Sequence, residues 1–250
     1  MADMRLLLFI MAKNEEKQLE ETVHGLQSVC PGEIVAGMVL YLAPDATQGC
    51  LHTARALQSE ASRIPVEIFV QPSGDIPAGF KAVLNCRRDV THVLFLMSDN
   101  NIEIEAVAGL IERAAADPNT VYKFSRALPG GRFSSQYSAL EVRAYLLLCA
   151  FVRLLYCNGL TDHFFLVGIY PAGLFLRHEF KRITLLTYGA EFFCSLMREK
   201  VPTAEIPVVN MPRTEGRGTS NIRSRLGYLV IAVGVRFRGL NHSVKRSCDR

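Results

Sequence analysis

The sequence predicts an α/β protein: a doubly wound, mostly parallel sheet flanked by helices, as one domain with a basic helical extension at its C-terminus. Three observations carry this. Four apolar runs alternate with helix-like segments between residues 5 and 116, the pattern of successive βα units. Two of the runs, in Arg5–Met11 and Thr91–Met97, are almost unbroken, as strands covered on both faces are. Polar residues gather directly after the runs, at the strand ends where open α/β sheets bind ligands.

Each element follows from its residues. Arg5–Met11 reads as a strand, and Asn14-Glu15-Glu16 opens a helix to about Ser28, since Asn and early acids suit a helix N-terminus. Glu33–Leu42 is a second strand, and Pro44-Asp45-Ala46-Thr47 turns into a helix reaching about Ala61. Val66–Val70 is a third strand, Pro72–Gly79 a loop, and Phe80–Arg88 a helix. Thr91–Met97 is the fourth strand; Ser98-Asp99-Asn100-Asn101 ends it before a helix over Glu103–Ala116. Val121–Ser125 is a strand followed by a glycine-bearing loop to Phe133. Leu140–Cys157 is a long helix, apolar nearly all round, and Leu166–Leu174 is strand or turn. Gly189–Glu199 is a helix, Val201–Val209 a strand, Arg213–Arg225 a loop, and Leu226–Leu240 the last helix. The domain reading is a body over residues 1–212, with a basic loop and helix over 213–250.

Bulk properties narrow the function. With 49% hydrophobic and 21% charged residues the chain is not a disordered one. Residues 213–250 hold nine Lys/Arg against two acids, while the rest carries 19 basic and 22 acidic residues. A basic end on a mildly acidic body points to a phosphate-rich partner. Seven scattered cysteines, none in a C-x-x-C pair, suit core positions in a reducing, cytoplasmic setting and exclude a disulfide framework or zinc ribbon. No signal peptide is expected, because Lys13-Asn14-Glu15-Glu16 follows the first apolar run without a cleavage site. Ala144–Tyr156 and Leu226–Val235 are too short to cross a bilayer but could lie in its interface. Nucleic acid is not an expected partner: the chain has no Trp and no zinc module.

The order of motifs resembles the family-2 glycosyltransferases, whose fold is called GT-A, and among them the polyprenyl-phosphate and dolichol-phosphate sugar transferases. Ala12-Lys13-Asn14-Glu15-Glu16 is similar to the family's opening motif, and Ala43-Pro44-Asp45-Ala46-Thr47 to its Ser-x-Asp-Gly-Thr turn. Leu94–Asp99 falls where the family has Asp-x-Asp, and Phe124-Ser125-Arg126 resembles its Gly-Ser-Arg. Leu160-Thr161-Asp162 resembles the acceptor-side Thr-Asp, and Glu191 the late helix acid. Glu205-Ile206-Pro207 and Arg213-Thr214-Glu215-Gly216, with Ser220, resemble the closing stretch. Departures stand at Leu40-Tyr41, in place of two acids, at Met97, in place of the first Asp-x-Asp acid, and at Asn221.

The resemblance implies a metal-assisted, inverting transfer from a nucleotide-diphosphate sugar to a polyprenyl phosphate or glycan, by a cytoplasmic protein that can sit peripherally on the membrane's inner face. Asn14, Glu15 and Asp45 would hold the nucleotide, with Arg126 beside them; Asp99 would hold Mg2+ or Mn2+, which bridges a diphosphate with as little as one protein carboxylate. Asp162 would be the general base toward an acceptor hydroxyl. Glu191, a carboxylate among apolar neighbours, would join it. Arg213 and Arg223 would clamp phosphates. Blander readings stand beside these: Asn14, Asp99 and Asp45 as helix caps or turn formers, His163 as a packed histidine, the arginine loop as solvated surface. From a different class comes the reading that the departures leave a nucleotide- or lipid-phosphate-binding protein without catalysis.

Overall fold

The structure, a computed structural model, describes residues 4–72, 75–98, 102–181, 185–212 and 222–237; the side chains of 185–186 and 222–226 are outside the description. Its strands form one seven-stranded sheet in the order β3-β2-β1-β4-β6-β5-β7. They are β1 (Leu6–Ala12), β2 (Val35–Leu42), β3 (Val66–Val70), β4 (His92–Met97), β5 (Val121–Ser125), β6 (Gly168–Pro171) and β7 (Thr203–Pro207). β6 runs antiparallel to β4 and β5; the other pairings are parallel.

The strands are apolar because both faces are covered. Leu6, Leu8 and Ile10 of β1, with Met38 and Leu40 of β2, point to one side. There they pack on α1 (Glu16–Val29), α2 (Gln48–Ser59) and α4 (Glu105–Ala116). Leu7 and Phe9, with Val39 and Tyr41, point to the other side. That side is closed by α3 (Ile76–Asn85), α5 (Ala139–Tyr156), α6 (Ala172–Arg177), α7 (Leu185–Arg198) and α8 (Ile222–Phe237). The period-two alternation of a strand thus supplies two separate cores from one run.

Several boundaries differ from the sequence expectation. The segment expected as loop up to Gly79 is already helical from Ile76. Asp75 caps it, accepting from the Ala78 amide at 3.0 Å, and Pro77 sits in the first turn, where a missing N–H costs nothing. Gly79 has a packing reason: a Cβ there would lie 2.2 Å from the Tyr41 hydroxyl, which donates to the Ile76 carbonyl at 3.2 Å. Asn14 is not a cap: α1 begins at Glu16 with Glu15 in the cap position and no side-chain cap bond. α6 was not expected as a helix, and the last helix begins at Ile222 rather than Leu226. α5 opens with a capping box, Ser138 and Glu141 each accepting from the other's backbone N–H.

Candidate active site

The parallel order brings the carboxyl ends of β1, β2 and β4 side by side: Ala12 is level with Leu42, and Met11 with Met97. The loops leaving these ends are laced together. The Ala43 amide donates to the Ala12 carbonyl (3.0 Å), Thr47 to Lys13 (2.9 Å) and Ser98 to Met11 (2.8 Å). The Glu15 carboxylate folds back onto this rim, accepting from the Lys13 and Asn14 amides at 3.0 Å each and from the Ser98 hydroxyl at 3.4 Å. The Lys13 ammonium meets Asp45 at 2.5 Å, both half or more exposed, and this hydrogen bond holds the Asp45 carboxyl below its ordinary range. Thr47 caps α2 and donates to Glu16 at 3.0 Å. Glu15, Asp45 and Ser98, distant in sequence, therefore share one edge of the sheet.

Asp99 and Arg213 lie outside the described residues, and Arg223 stands in the first turn of α8 with its side chain outside them too. Among the described residues no group of three or more His, Cys, Asp or Glu is placed to hold a metal ion. At the end of β4, Glu15 reaches Ser98, the last described residue before Asp99.

A second constellation lies at the end of β5, on the same sheet edge. Asp162 is fully buried. The Arg126 guanidinium grips it side-on, Nε to Oδ2 at 2.8 Å and Nη2 to Oδ1 at 3.0 Å, and the Arg126 amide adds a third bond at 3.0 Å. The Tyr145 hydroxyl donates to Oδ1 in a short contact. Burial alone would raise the Asp162 pKa, but the charges and hydrogen bonds of Arg126, with Lys123 and Tyr145, hold it well below the usual carboxylate range. Beneath it Lys123, also fully buried, donates to the Asp162 carbonyl and lies 3.6 Å from Glu205. Glu205 accepts from the Thr161 amide and hydroxyl at 2.7 Å each and from the Asp162 amide at 2.9 Å. Two basic and two acidic side chains thus meet inside the protein; burial pushes the Lys123 ammonium below its ordinary range, and the charges of Asp162 and Glu205 oppose that shift.

This geometry revises two expectations. Asp162, expected to face an acceptor as a base, has no exposed surface, and its oxygens are occupied by Arg126 and Tyr145. Arg126, expected at the donor, is 9% exposed and is stacked among Phe133, Tyr145 and Phe165, with ring centroids 4.3 to 5.0 Å from its guanidinium carbon. Glu191 is buried in α7 and accepts from the Lys181 amide at 3.0 Å. His163 is packed: Nε2 meets Asn158 at 3.2 Å, and burial, then the charge of Lys123, push its pKa down to about 3.

Above Arg126 and Tyr145 opens a cavity of about 110 Å³, walled by Phe133, Val142, Phe164, Phe165 and Tyr228. Its walls are mostly aromatic, the acidic Glu141 also lines it, and its one guanidinium is already paired with Asp162. Sequence reasoning missed Lys123 and Tyr145 as parts of this site. Lys123 carried a signal, a lone cation inside the strand Val-Tyr-Lys-Phe-Ser, which a buried strand admits only with a partner.

No protein-family profile matches the chain, and no curated protein matches it in sequence. Solved structures do match. Glucosyl-3-phosphoglycerate synthase from Mycobacterium tuberculosis, in complex with Mn2+, uridine diphosphate and phosphoglyceric acid, superposes with a TM-score of 0.66 at 15% identity, covering 94% of this chain and 79% of that one. The complex of the same enzyme with Mn2+, UDP-glucose and phosphoglyceric acid gives 0.64 at 15% identity, covering 94% and 80%. A mycobacterial protein gives 0.65 at 13% identity, covering 94% and 74%. The chain therefore has the fold of these proteins, the GT-A arrangement of a mostly parallel sheet between helices.

Proposed function

We propose that this chain is a glycosyltransferase that moves a sugar from a nucleotide-diphosphate donor to a phosphorylated acceptor. The observation that carries the reading is the meeting of Glu15, Asp45 and Ser98 on one strand-end rim, on a fold shared with a synthase solved with Mn2+ and UDP-glucose. In this reading Glu15 and Asp45 shape the nucleotide's seat, and Mg2+ or Mn2+ held at the end of β4 by Asp99 would neutralise the leaving diphosphate. An acceptor oxygen attacks the anomeric carbon as the bond to the diphosphate breaks, which inverts the sugar. The arginine-bearing segment with Arg213 and Arg223 supplies phosphate contacts.

The state of Asp162 favours one acceptor class. A hydroxyl acceptor needs a base to take its proton, whereas a phosphate acceptor is already an anion. A carboxylate clamped by Arg126 and Tyr145 is a positioning group that fixes Arg126 and the cavity walls. This supports a polyprenyl phosphate over a glycan, and with it a peripheral seat on the membrane. No helix among the described residues is long and apolar enough to cross one.

The test is donor turnover. The purified chain, given UDP-glucose and other nucleotide sugars with Mn2+ or Mg2+, should release the nucleoside diphosphate, and Asp99→Ala should abolish release. No release with any donor, or equal release by Asp99→Ala, defeats the proposal. Binding of the donor without release would instead support the non-catalytic reading, which the departures at Leu40, Tyr41 and Met97 motivate.

A further inference from the structure

α5 has two apolar sides. On one, Cys149, Val152 and Tyr156 are buried, and Val142 and Tyr145 line the aromatic cavity. The other side is open. Leu140, Leu147 and Leu154 are each more than 70% exposed, Phe151 is 43% exposed, and Ala144 is exposed as well. At the helical repeat these five residues fall within about 80° of arc, away from the buried side. Their separations alternate four, three, four, three. That is the spacing of the a and d positions of a heptad, with Leu140, Leu147 and Leu154 at d and Ala144 and Phe151 at a.

The spacing says what covers the stripe. A stripe confined to a and d positions is narrower than the arc a helix lays on a broad apolar surface, and it fits the seam of a second helix. The seam carries no charge: Glu141 and Arg153 lie off it, and Arg143 alone borders it. It is also complementary to itself. In an antiparallel pair a positions oppose d positions, so Ala144 and Phe151 each meet a leucine of the partner. A parallel pair would set Ala144 on Ala144 and Phe151 on Phe151, a gap next to an excess of bulk. Antiparallel copies also keep their two Arg143 side chains apart along the seam. A contact of about four turns buries on the order of 1,000 Å² over two copies, the size at which specific interfaces begin. We infer that α5 pairs with α5 of a second copy, antiparallel, about a two-fold axis.

Pairing through the outer side steadies the helix whose inner side walls the cavity through Val142 and Tyr145. The interface uses only the outer side of α5 and does not depend on the proposed activity.

The experiment is sedimentation equilibrium of the full chain at micromolar concentrations. The wild type should be a reversible dimer. Leu147→Glu and Leu154→Glu should each raise its dissociation constant about a hundredfold or more, because every dimer loses two buried leucines. Both positions are exposed in the single chain, so a thermal melt should show each variant folded. Val230→Glu, at an exposed position of α8 off the seam, should leave the dimer intact. Orientation has its own readout. Antiparallel helices bring position 140 of one copy near position 154 of the other, so Leu140→Lys with Leu154→Glu should dimerise several-fold more tightly than Leu140→Glu with Leu154→Glu. Equal constants overturn the antiparallel arrangement. A dimer that Leu147→Glu and Leu154→Glu leave intact overturns the inference, and so does a wild-type monomer. If that monomer pellets with phosphatidylserine vesicles and Leu147→Glu releases it, the stripe belongs to a membrane instead.

Discussion

Arg126 and Asp162 meet side-on, two guanidinium nitrogens against two carboxylate oxygens at 2.8 and 3.0 Å, with almost no solvent at either group. The pair closes one end of a buried polar chain that runs through Lys123 to Glu205. Removing one partner of such a set costs more than the set contributes, because it leaves a charge uncompensated in the interior.

Asp162→Asn should therefore lower stability by about 3–5 kcal/mol, read as a shift in the urea midpoint. The pH dependence has a definite sign. The folded carboxyl is held below its unfolded value near 3.8, so its contribution is complete above that value and is lost as pH falls below it. The wild type should lose this stability in acid; the Asn variant has none of it to lose.

His163 gives a window nearer neutrality. Its folded pKa is pushed down to about 3 from an unfolded 6.5, so the unfolded chain binds a proton over that interval and the folded chain does not. Stability present above pH 6.5 should fall on acidification by up to about 1.4 kcal/mol per pH unit from this group. His163→Gln should flatten that part of the profile between pH 6.5 and 5, measured by urea denaturation.

Gly79→Ala should destabilise the protein by roughly 1–3 kcal/mol through overpacking against Tyr41. Tyr41→Phe removes the atom that the new Cβ would meet at 2.2 Å, while the ring carbon at 3.1 Å remains. The double variant should recover part of the loss, a coupling that a double-mutant cycle on thermal midpoints would read. Simple additivity would mean that the two residues do not press on each other.

Glu15→Ala should reduce kcat/KM for the donor by about tenfold to a hundredfold, since a loop ordered by three hydrogen bonds loses its organiser. The stability change should stay near 1 kcal/mol because two of the three bonds are at the surface. Steady-state kinetics beside a thermal melt separate the two effects. An unchanged kcat/KM would remove Glu15 from the site.

Much of the fold was legible because buried parallel strands leave continuous apolar runs. β3 and β5 occupy the very residues the pattern marks, and the rim residues Glu15 and Asp45 stand out because polarity switches on where the runs stop. α3 was misplaced because Pro77 and Gly79 read as loop formers when the helix tolerates the first in its opening turn and Tyr41 requires the second. The state of Asp162 was not legible: what clamps it comes from β5 and α5, 36 and 17 residues away, and no local pattern encodes such a meeting. Lys123 announced only that some partner must exist.

The reversed strand β6 divides the sheet along its length. Every residue of β1 to β4 precedes position 98 and β5 to β7 follow position 120, so within the sheet the two stretches meet at the β4–β6 ladder, while α5 to α8 of the second stretch also cover β1 and β2 of the first. Cut from the later stretch, the first four strands would lose the cover that α5 to α8 give to Leu7, Phe9, Val39 and Tyr41, so neither stretch closes its core without the other.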